Sequence, residues 1–393
     1  MPWKDTKPMD ERMKLVSDNI DGHFTITELS VIYGVSRKTV YKWINRYSEY
    51  GVEGLKERSR TPVNSPAQTP DAIIEHIISV KLDRMNWGPK KILAFLKENE
   101  PNTAWPGVGT IEKWLKRNGL VKKRRRRKPV PPYSEPFLDV NKANEVWSAD
   151  YKGQFRTGDG LWCYPLTISD NASRYLLLCR ALHSPCYKDT RKWYEWIFRE
   201  YGLPEAIRTD NGTPFAGRGL TGLSRLSVWL IKLGIRPERI RAGKPQENGR
   251  HERMHRTLKE ETVKPPASNM VVQQDRFDYF IRDFNDVRPH EGICQRPPSS
   301  IYTPSPRYYP EKLRAIEYDE GVETRKVKDS GEIMYKGRNY YLTELLSGER
   351  VGITEISERM FELCFGRHPI GVINMKVGKV EPKTAPKKCY PCL

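Results

Sequence analysis

The sequence predicts a multidomain protein, with all-α helix-turn-helix units at the N-terminus, an α/β core and a small C-terminal β-barrel. Three observations carry this. Apolar residues recur at helical spacing up to about residue 121, strand and helix patterns alternate from about 138, and short turn-separated strands follow from about 310. The chain has 393 residues, enough for two to four domains at roughly 100–200 residues each. The expected divisions are 1–60 and 66–121 (two helix-turn-helix domains), 122–137 (a basic linker), 138–310 (the core) and 318–393 (the barrel).

In the first unit, Thr27–Tyr33 places Leu29 and Ile32 at helical spacing, and Gly34 offers a turn. Ser36 is a good N-cap for the next helix. That helix sets Val40, Trp43, Ile44 and Tyr47 on one face and Arg37, Lys38, Thr39, Lys42 and Arg46 on the other. A helix, a glycine turn and a second helix with a basic outer face fit a DNA-reading motif. They also fit an ordinary helical hairpin with a solvated face. A Pro/Ser-rich linker, 61–68, follows. Helices are then expected over Asp71–Asp83, over Lys90–Asn99 behind Pro89, and over Thr110–Asn118, closed by Gly119. The last of these exposes Lys113, Lys116 and Arg117 and makes a second unit of the same kind. The run KKRRRRK at 122–128, which includes Arg124, Arg125 and Arg126, cannot pack in a core and suits phosphates.

In the core, strands are expected at Val146–Phe155, Leu161–Ser169, Arg174–Ala181, Glu205–Thr209 and Arg239–Arg241. Helices are expected at Lys188–Tyr201, Leu223–Leu233, Gly249–Thr262 and Val271–Asp286. Beyond these, Ile333–Tyr335 and Asn339–Leu342 flank a tight turn, and Arg350–Glu355, Met360–Cys364 and Ile370–Val377 read as further strands.

Charge gives the first indication of a partner. Lys and Arg number 68 against 49 Asp and Glu, a net charge of +19. Such a surplus favours a polyanion, nucleic acid first, because each neutralised phosphate releases counterions. A solubilising excess is the plainer alternative. Seven scattered cysteines imply no disulfide framework and suit a reducing cytoplasm. Cys389 and Cys392 alone cannot close a four-ligand zinc site. No apolar leader opens the chain, and no run approaches the roughly 20 apolar residues of a membrane span.

Three carboxylates stand where core elements begin or end: Asp150 in a strand, Asp210 at a strand end and Glu252 near a helix start. Transfer at a phosphodiester needs an activated nucleophile and a stabilised leaving oxygen. Two hard divalent ions on a few carboxylates can supply both. His251-Glu252-Arg253-Met254-His255 also matches HExxH, a zinc-protease pattern. It lacks a convincing third ligand.

The segments WSADYKGQF, TDNGTPF, PQENGRHERMHRTLKEE and FNDVRPHEGICQRPPSSIY, in this order and spacing, resemble insertion-sequence transposases of the retroviral-integrase superfamily. These are of the DDE type, with an RNase H-like core, and the likeness extends over nearly the whole chain. The resemblance implies that Asp150 and Asp210 bind two Mg²⁺ or Mn²⁺ ions. For the third acid, two glutamates compete, Glu247 standing 37 positions after Asp210 and Glu252 standing 42 after it. The family pattern of Pro-Gln, Gly, acid and a Lys seven later matches Pro245, Gln246, Gly249, Glu252 and Lys259, and so favours Glu252. Lys259 and Arg256 are then implied to contact DNA phosphate, and Asn248 and Gly249 to let DNA approach the backbone. Asn285, Arg288 and His290 match a downstream N-x-x-R-P-H pattern that helps shape the site. Asp170, in Asp-Asn-Ala-Ser, reads as turn chemistry. The resemblance also implies binding of terminal inverted repeats by the N-terminal units, transfer of 3′-hydroxyl ends to target DNA, and a homodimer or higher oligomer on DNA. A DNA-binding regulator with an inactive core and a nuclease that cuts without joining remain alternatives.

Overall fold

The computed structural model describes residues 7–58, 68–121, 140–151, 153–217, 219–240, 248–313 and 315–382. The basic run with Arg124, Arg125 and Arg126, most of the 61–68 linker, Glu247 with Pro245 and Gln246, and Cys389 and Cys392 lie outside these residues. Contacts divide the chain into two compact units, Met1–Pro70 and Asp71–Leu393.

The first unit holds helices α1 (Pro8–Ile20), α2 (Ile26–Ile32) and α3 (Arg37–Tyr50). Thr25 and Glu28 form a reciprocal capping box at the start of α2, and Ser36 caps α3 by accepting from the Thr39 amide. Leu15, Val16, Leu29, Val40, Trp43 and Leu55 make the core. Helix α1 is not among the helices read from the sequence. Its segment is largely polar, and only Leu15 and Val16 of it are buried.

The second unit opens with α4 (Asp71–Asp83), α5 (Pro89–Asn99) and α6 (Val108–Arg117), closed around Ile77, Trp87, Ile92, Leu96, Ile111 and Leu115. The α/β part contains β1 (Val146–Tyr151), β2 (Phe155–Arg156), β3 (Trp162–Asp170), β4 (Leu176–Leu182), α7 (Tyr187–Tyr201), β5 (Ala206–Thr209), α8 (Arg225–Lys232), β6 (Arg236–Arg239), α9 (Gly249–Thr262) and α10 (Met270–Arg282). Strands β4, β3, β1, β5 and β6 lie side by side, with β2 extending the β1 edge of β3. The β4–β3–β1 pairings are antiparallel, and β1–β5–β6 are parallel. Alternate residues of the strands face opposite layers. Trp147, Ala149, Leu166 and Ile168 pack on Tyr194, Phe198 and Trp229 of α7 and α8. Cys163, Leu176 and Cys179 pack on Met254, Leu258, Phe277 and Phe280 of α9 and α10. The result is a three-layer α/β/α core. Gly202 ends α7 at a φ of +76°, where a Cβ would lie 2.5 Å from the Ser305 carbonyl oxygen, so only glycine fits.

Four expectations shift. The long strand over Val146–Phe155 is two strands, β1 and β2. The last core strand is β6, earlier in the chain than Arg239–Arg241. Pro237 masks it, and an edge position tolerates a residue without an amide donor. Helix α10 ends at Arg282 and widens into a π turn over Asp283–Val287. The C-terminal strands β7 (Glu323–Lys326), β8 (Glu332–Tyr335), β9 (Arg338–Tyr341), β10 (Arg350–Ser357), β11 (Met360–Phe365), β12 (His368–Asn374) and β13 (Lys379–Glu381) form a five-stranded sheet, β13-β12-β11-β10-β7, and a β8–β9 hairpin. Among the described residues these ladders do not close into a barrel. They share one apolar core, which Leu223 and Ile231 of the α/β part join.

Candidate active site

The parallel register of β1 on β5 pairs Val146 with Ala206, Trp147 with Ile207 and Ser148 with Arg208. Carried two residues further, it sets Asp150 level with Asp210, on neighbouring strands about 4.8 Å apart. Trp147 and Ala149 point into the α7–α8 layer, so Ser148 and Asp150 face α9. Past β5, the Gly212 amide donates to Asp210 Oδ1 at 3.0 Å, and Asn211 Nδ2 donates to the Ile240 carbonyl at 2.9 Å. These bonds hold the loop that carries Asp210.

Helix α9 buries His251, Met254, His255 and Leu258 and exposes Glu252, Arg256 and Lys259. His255 Nδ1 lies 3.7 Å from Asp150 Oδ2. Glu252 is one helical turn before His255, on the outer face. Among the described residues no three His, Cys, Asp or Glu side chains form a group able to hold a metal ion. Asp150, Asp210 and Glu252 thus do not form a three-ligand group among the described residues.

A polar layer lies between β3 and α9. Thr167 Oγ1 is 2.8 Å from His251 Nε2, 2.6 Å from His255 Nε2 and 3.1 Å from the Asp150 carbonyl oxygen. Ser169 Oγ is 2.8 Å from His251 Nδ1. One hydroxyl has one proton to give, so at least one of the two Nε2 atoms donates to Thr167. Burial pushes His251 down to about 3, and its ring is neutral at ordinary pH. Both histidines of the HExxH pattern are thus engaged with β3 hydroxyls, on the side of α9 away from the exposed Glu252, and the zinc-protease constellation is not formed.

The other sequence-predicted residues separate clearly. Arg37, Lys38 and Lys42 are exposed on α3. Thr39 takes part in the Ser36 cap, and the Arg46 guanidinium stacks 5.1 Å from the Trp43 ring. Lys113 and Arg117 are exposed on α6. Arg256 and Lys259 are exposed and have no ion pair among the described residues. Gly249 has open space where a Cβ would stand, as close approach requires. Asn248 is 5% exposed. Asp170 is a turn residue, accepting from the Ser173 amide and hydroxyl and from the Asn144 amide. Asn285 brackets β4, accepting from the Leu176 amide and donating to its carbonyl, and His290 Nε2 meets the Phe284 carbonyl at 3.0 Å. Arg288 pairs with both carboxylate oxygens of Glu261, at 2.8 and 2.9 Å. The N-x-x-R-P-H pattern therefore fastens the end of α10 to β4 and α9. Sequence reasoning missed Thr167 and Tyr194. The Tyr194 hydroxyl is buried without a hydrogen bond among the described residues. It is pushed well above its usual range by burial, then by the negative charges of Tyr151, Asp150 and Asp210.

Family profiles described as integrase core domain match residues 140–245 and 233–298. Together these spans contain Asp150, Asp210 and Glu252. A helix-turn-helix domain profile matches residues 11–62, and a homeodomain-like profile matches 39–105. An uncharacterized 31.7 kDa protein of insertion element IS407 from Burkholderia multivorans is 24% identical over 239 residues, 60% of this chain and 82% of that protein. A 39.2 kDa protein of insertion element IS476 from Xanthomonas euvesicatoria is 24% identical over 246 residues, 61% of this chain and 66% of its own. The chain carries integrase-core and helix-turn-helix domains and is similar to insertion-sequence transposases of the retroviral-integrase superfamily. A putative transposase y4bF of Sinorhizobium fredii is 23% identical over 283 residues, 70% of this chain and 60% of that protein, so the chain spans less than two thirds of some of the curated relatives it matches. The HTLV-2 integrase catalytic core domain in complex with magnesium aligns with a TM-score of 0.33 and 13% identity, over 41% of this chain and 97% of that one. The helix-turn-helix and integrase-core matches indicate DNA binding by this chain. No helix among the described residues is long and apolar enough to cross a membrane.

Proposed function

We propose that the chain is a DNA transposase that binds element ends, cleaves them and transfers their 3′-hydroxyls to target DNA in the cytoplasm. The observation that supports this reading is the parallel pairing of β1 with β5, whose register, continued, would set Asp150 level with Asp210, together with the packing of α9, which bears Glu252, against this sheet. Carboxylate oxygens suit hard divalent cations, so the donor set fits Mg²⁺ or Mn²⁺. Asp150, Asp210 and Glu252 would hold the ions. Two such ions, when bound, supply an activated oxygen nucleophile and charge for the leaving oxygen. The chain's own groups do the rest. Arg256 and Lys259, four and seven residues after Glu252 on one helix face, clamp DNA phosphates. His255 holds Asp150 toward α9. Helices α3 and α6 present Arg37, Lys38, Lys42, Lys113 and Arg117 to the terminal repeats, and the arginines of 122–128 add backbone contacts that position rather than specify. Two ends must meet one target, so the active species is a homodimer or larger.

The test is cleavage and joining of labelled DNA carrying the ends that flank the gene, in Mg²⁺ or Mn²⁺. Wild type and Glu247→Gln should give nicked and joined products, while Asp210→Asn and Glu252→Gln should lose them by at least a hundredfold, the order that general electrostatic and acid–base roles carry. Loss with Glu247→Gln alone would move the third acid to that residue. A regulator with an inert core is the second reading, favoured by the lack of a three-ligand group among the described residues. Binding of the ends without cutting under either metal would establish it.

A further inference from the structure

A cavity of about 310 Å³ lies between α5, the β3–β4 turn, α9 and the segment after α10. Five cations line it: Lys91, Arg174, Arg250, Arg253 and Arg288. Two acids also reach it, and both are engaged elsewhere. The Asp170 carboxylate takes two hydrogen bonds from Ser173 and one from the Asn144 amide, and Glu291 pairs with exposed Lys90 at 3.0 Å. Of the cations, Arg288 has Glu261 as its partner. Arg174 donates to the Asn171 carbonyl, and Arg250 donates to it as one of its contacts. The side chains of Lys91 and Arg253 make no hydrogen bond or ion pair among the described residues. Burial, then the Arg288 charge, pushes Lys91 down to about 8. Burial, then Arg250, pushes Arg174 down to about 10. Five Lys and Arg side chains thus outnumber the two acids lining a partly desolvated hollow, and an anion would offset the surplus.

We propose that this cavity is a second phosphate seat, taking one phosphodiester of a DNA strand. The proposal rests on the reading of the chain as a DNA-acting protein. The seat is separate from the candidate catalytic face. At 3.6 residues per turn, Arg250, Arg253 and Thr257 lie on one side of α9, and Glu252, Arg256 and Lys259 lie on another. Its walls come from both the α4–α6 unit and the α/β core, so a strand seated there touches both. Exposed Arg253 stands at the rim, where an entering phosphate meets it first, and Lys91 closes the inner end. A phosphate is the favoured anion because guanidinium groups arranged around a hollow match its several oxygens.

The experiment measures binding of a short duplex of arbitrary sequence to the full chain, without divalent metal, across a salt series. Wild type is compared with Arg253→Ala, Lys91→Gln and, as control, Lys97→Ala, an exposed α5 lysine outside the cavity. Arg253 is exposed, so its variant keeps the fold, and it protects the test if Lys91→Gln disturbs packing. Each cavity variant is expected to weaken binding and to lower the slope of log affinity against log salt by about one, with the control unchanged. Binding by wild type with unchanged slopes in both variants would overturn the seat and leave the transposase reading standing. No binding by wild type would overturn both. In a parallel arm, inorganic phosphate alone is titrated against thermal stability. Phosphate stabilisation that both variants lose, with their duplex slopes unchanged, would overturn the assignment to DNA and give the cavity to a free phosphate.

Discussion

Thr167 shows how much of the site rests on one hydroxyl. It meets His251, His255 and the Asp150 carbonyl at once. Thr167→Val keeps the side-chain shape and strands buried imidazole nitrogens, which should cost about 1–3 kcal/mol for an unsatisfied buried group. Urea unfolding would measure it, and a loss below about 0.5 kcal/mol would mean that the two rings find other partners. Acid should act on the same layer. His251 and His290 are held near 3 by burial, against an ordinary value of 6.5. Above pH 6.5 neither state binds the proton, and nothing is lost. As pH falls from 6.5 toward 3, the unfolded chain takes up protons that the folded rings refuse, so stability declines by about 1.4 kcal/mol per pH unit for each ring. Unfolding curves from about pH 7 to about pH 5 should show this decline, and His251→Gln should show a shallower one. A pH dependence identical in the variant would place the ring in water. The sequence made Asp150 and Asp210 legible, because each stands in a short motif at a strand end. It did not show that His251 and His255 face hydroxyls 84 and 88 positions away, since no local pattern records which strand a helix covers.

Among the elements, those with local signals were read well. Helix α3 begins directly after Ser36, as its cap dictates, and α9 runs over Gly249–Thr262 as expected. Ser36→Ala should therefore destabilise the first unit by about 1 kcal/mol, and Ser36→Gly by only a few tenths. Thermal melting of the full chain would compare the two, and equal losses would mean that the Ser36 hydroxyl adds nothing to the bond with the Thr39 amide. Elements defined by their neighbours were harder to read. Helix α1 is mostly polar and is recruited by packing: the Arg12 guanidinium lies 3.9 Å from the Trp43 ring and donates to the Leu55 carbonyl. Strand β6 contains a proline and exists because β5 offers it an edge. Short C-terminal strands were visible singly, but whether their ladders close depends on pairings between distant segments, which alternation alone does not encode.

At the scale of the second unit, the attachment of α4–α6 to the core is mostly ionic. Arg84 NH1 lies 2.6 Å from Asp283 Oδ1, and Asp283 is only 6% exposed. The pairing is charge contact rather than an aligned hydrogen bond, because Oδ1 has no hydrogen-bond partner among the described residues. Burial raises the Asp283 carboxyl above its usual range despite the opposing pull of Arg84 and Arg288. Desolvation therefore exceeds the attraction, as is common for buried pairs. A cavity of about 700 Å³ lies beside the contact, lined by the Asp83–Trp87 turn and by α9 and α10, so apolar packing there is incomplete. The exposed Lys90–Glu291 pair adds little, roughly 0–1 kcal/mol. Removing one partner should thus be worse than removing both. Arg84→Met leaves the buried carboxylate with only the more distant pull of Arg288 and should cost up to about 3–5 kcal/mol, whereas Arg84→Met with Asp283→Leu should recover most of that loss. Hydrogen exchange would locate the effect. In Arg84→Met the amides of α4–α6 should lose protection while the β1–β5 amides keep theirs, because the smaller unit has its own core and the clasp only seats it. Uniform loss across the whole unit would mean that the pair supports the core itself. Protection unchanged everywhere would mean that Val287, packed against the α4–α6 cluster, is enough to hold the two parts together.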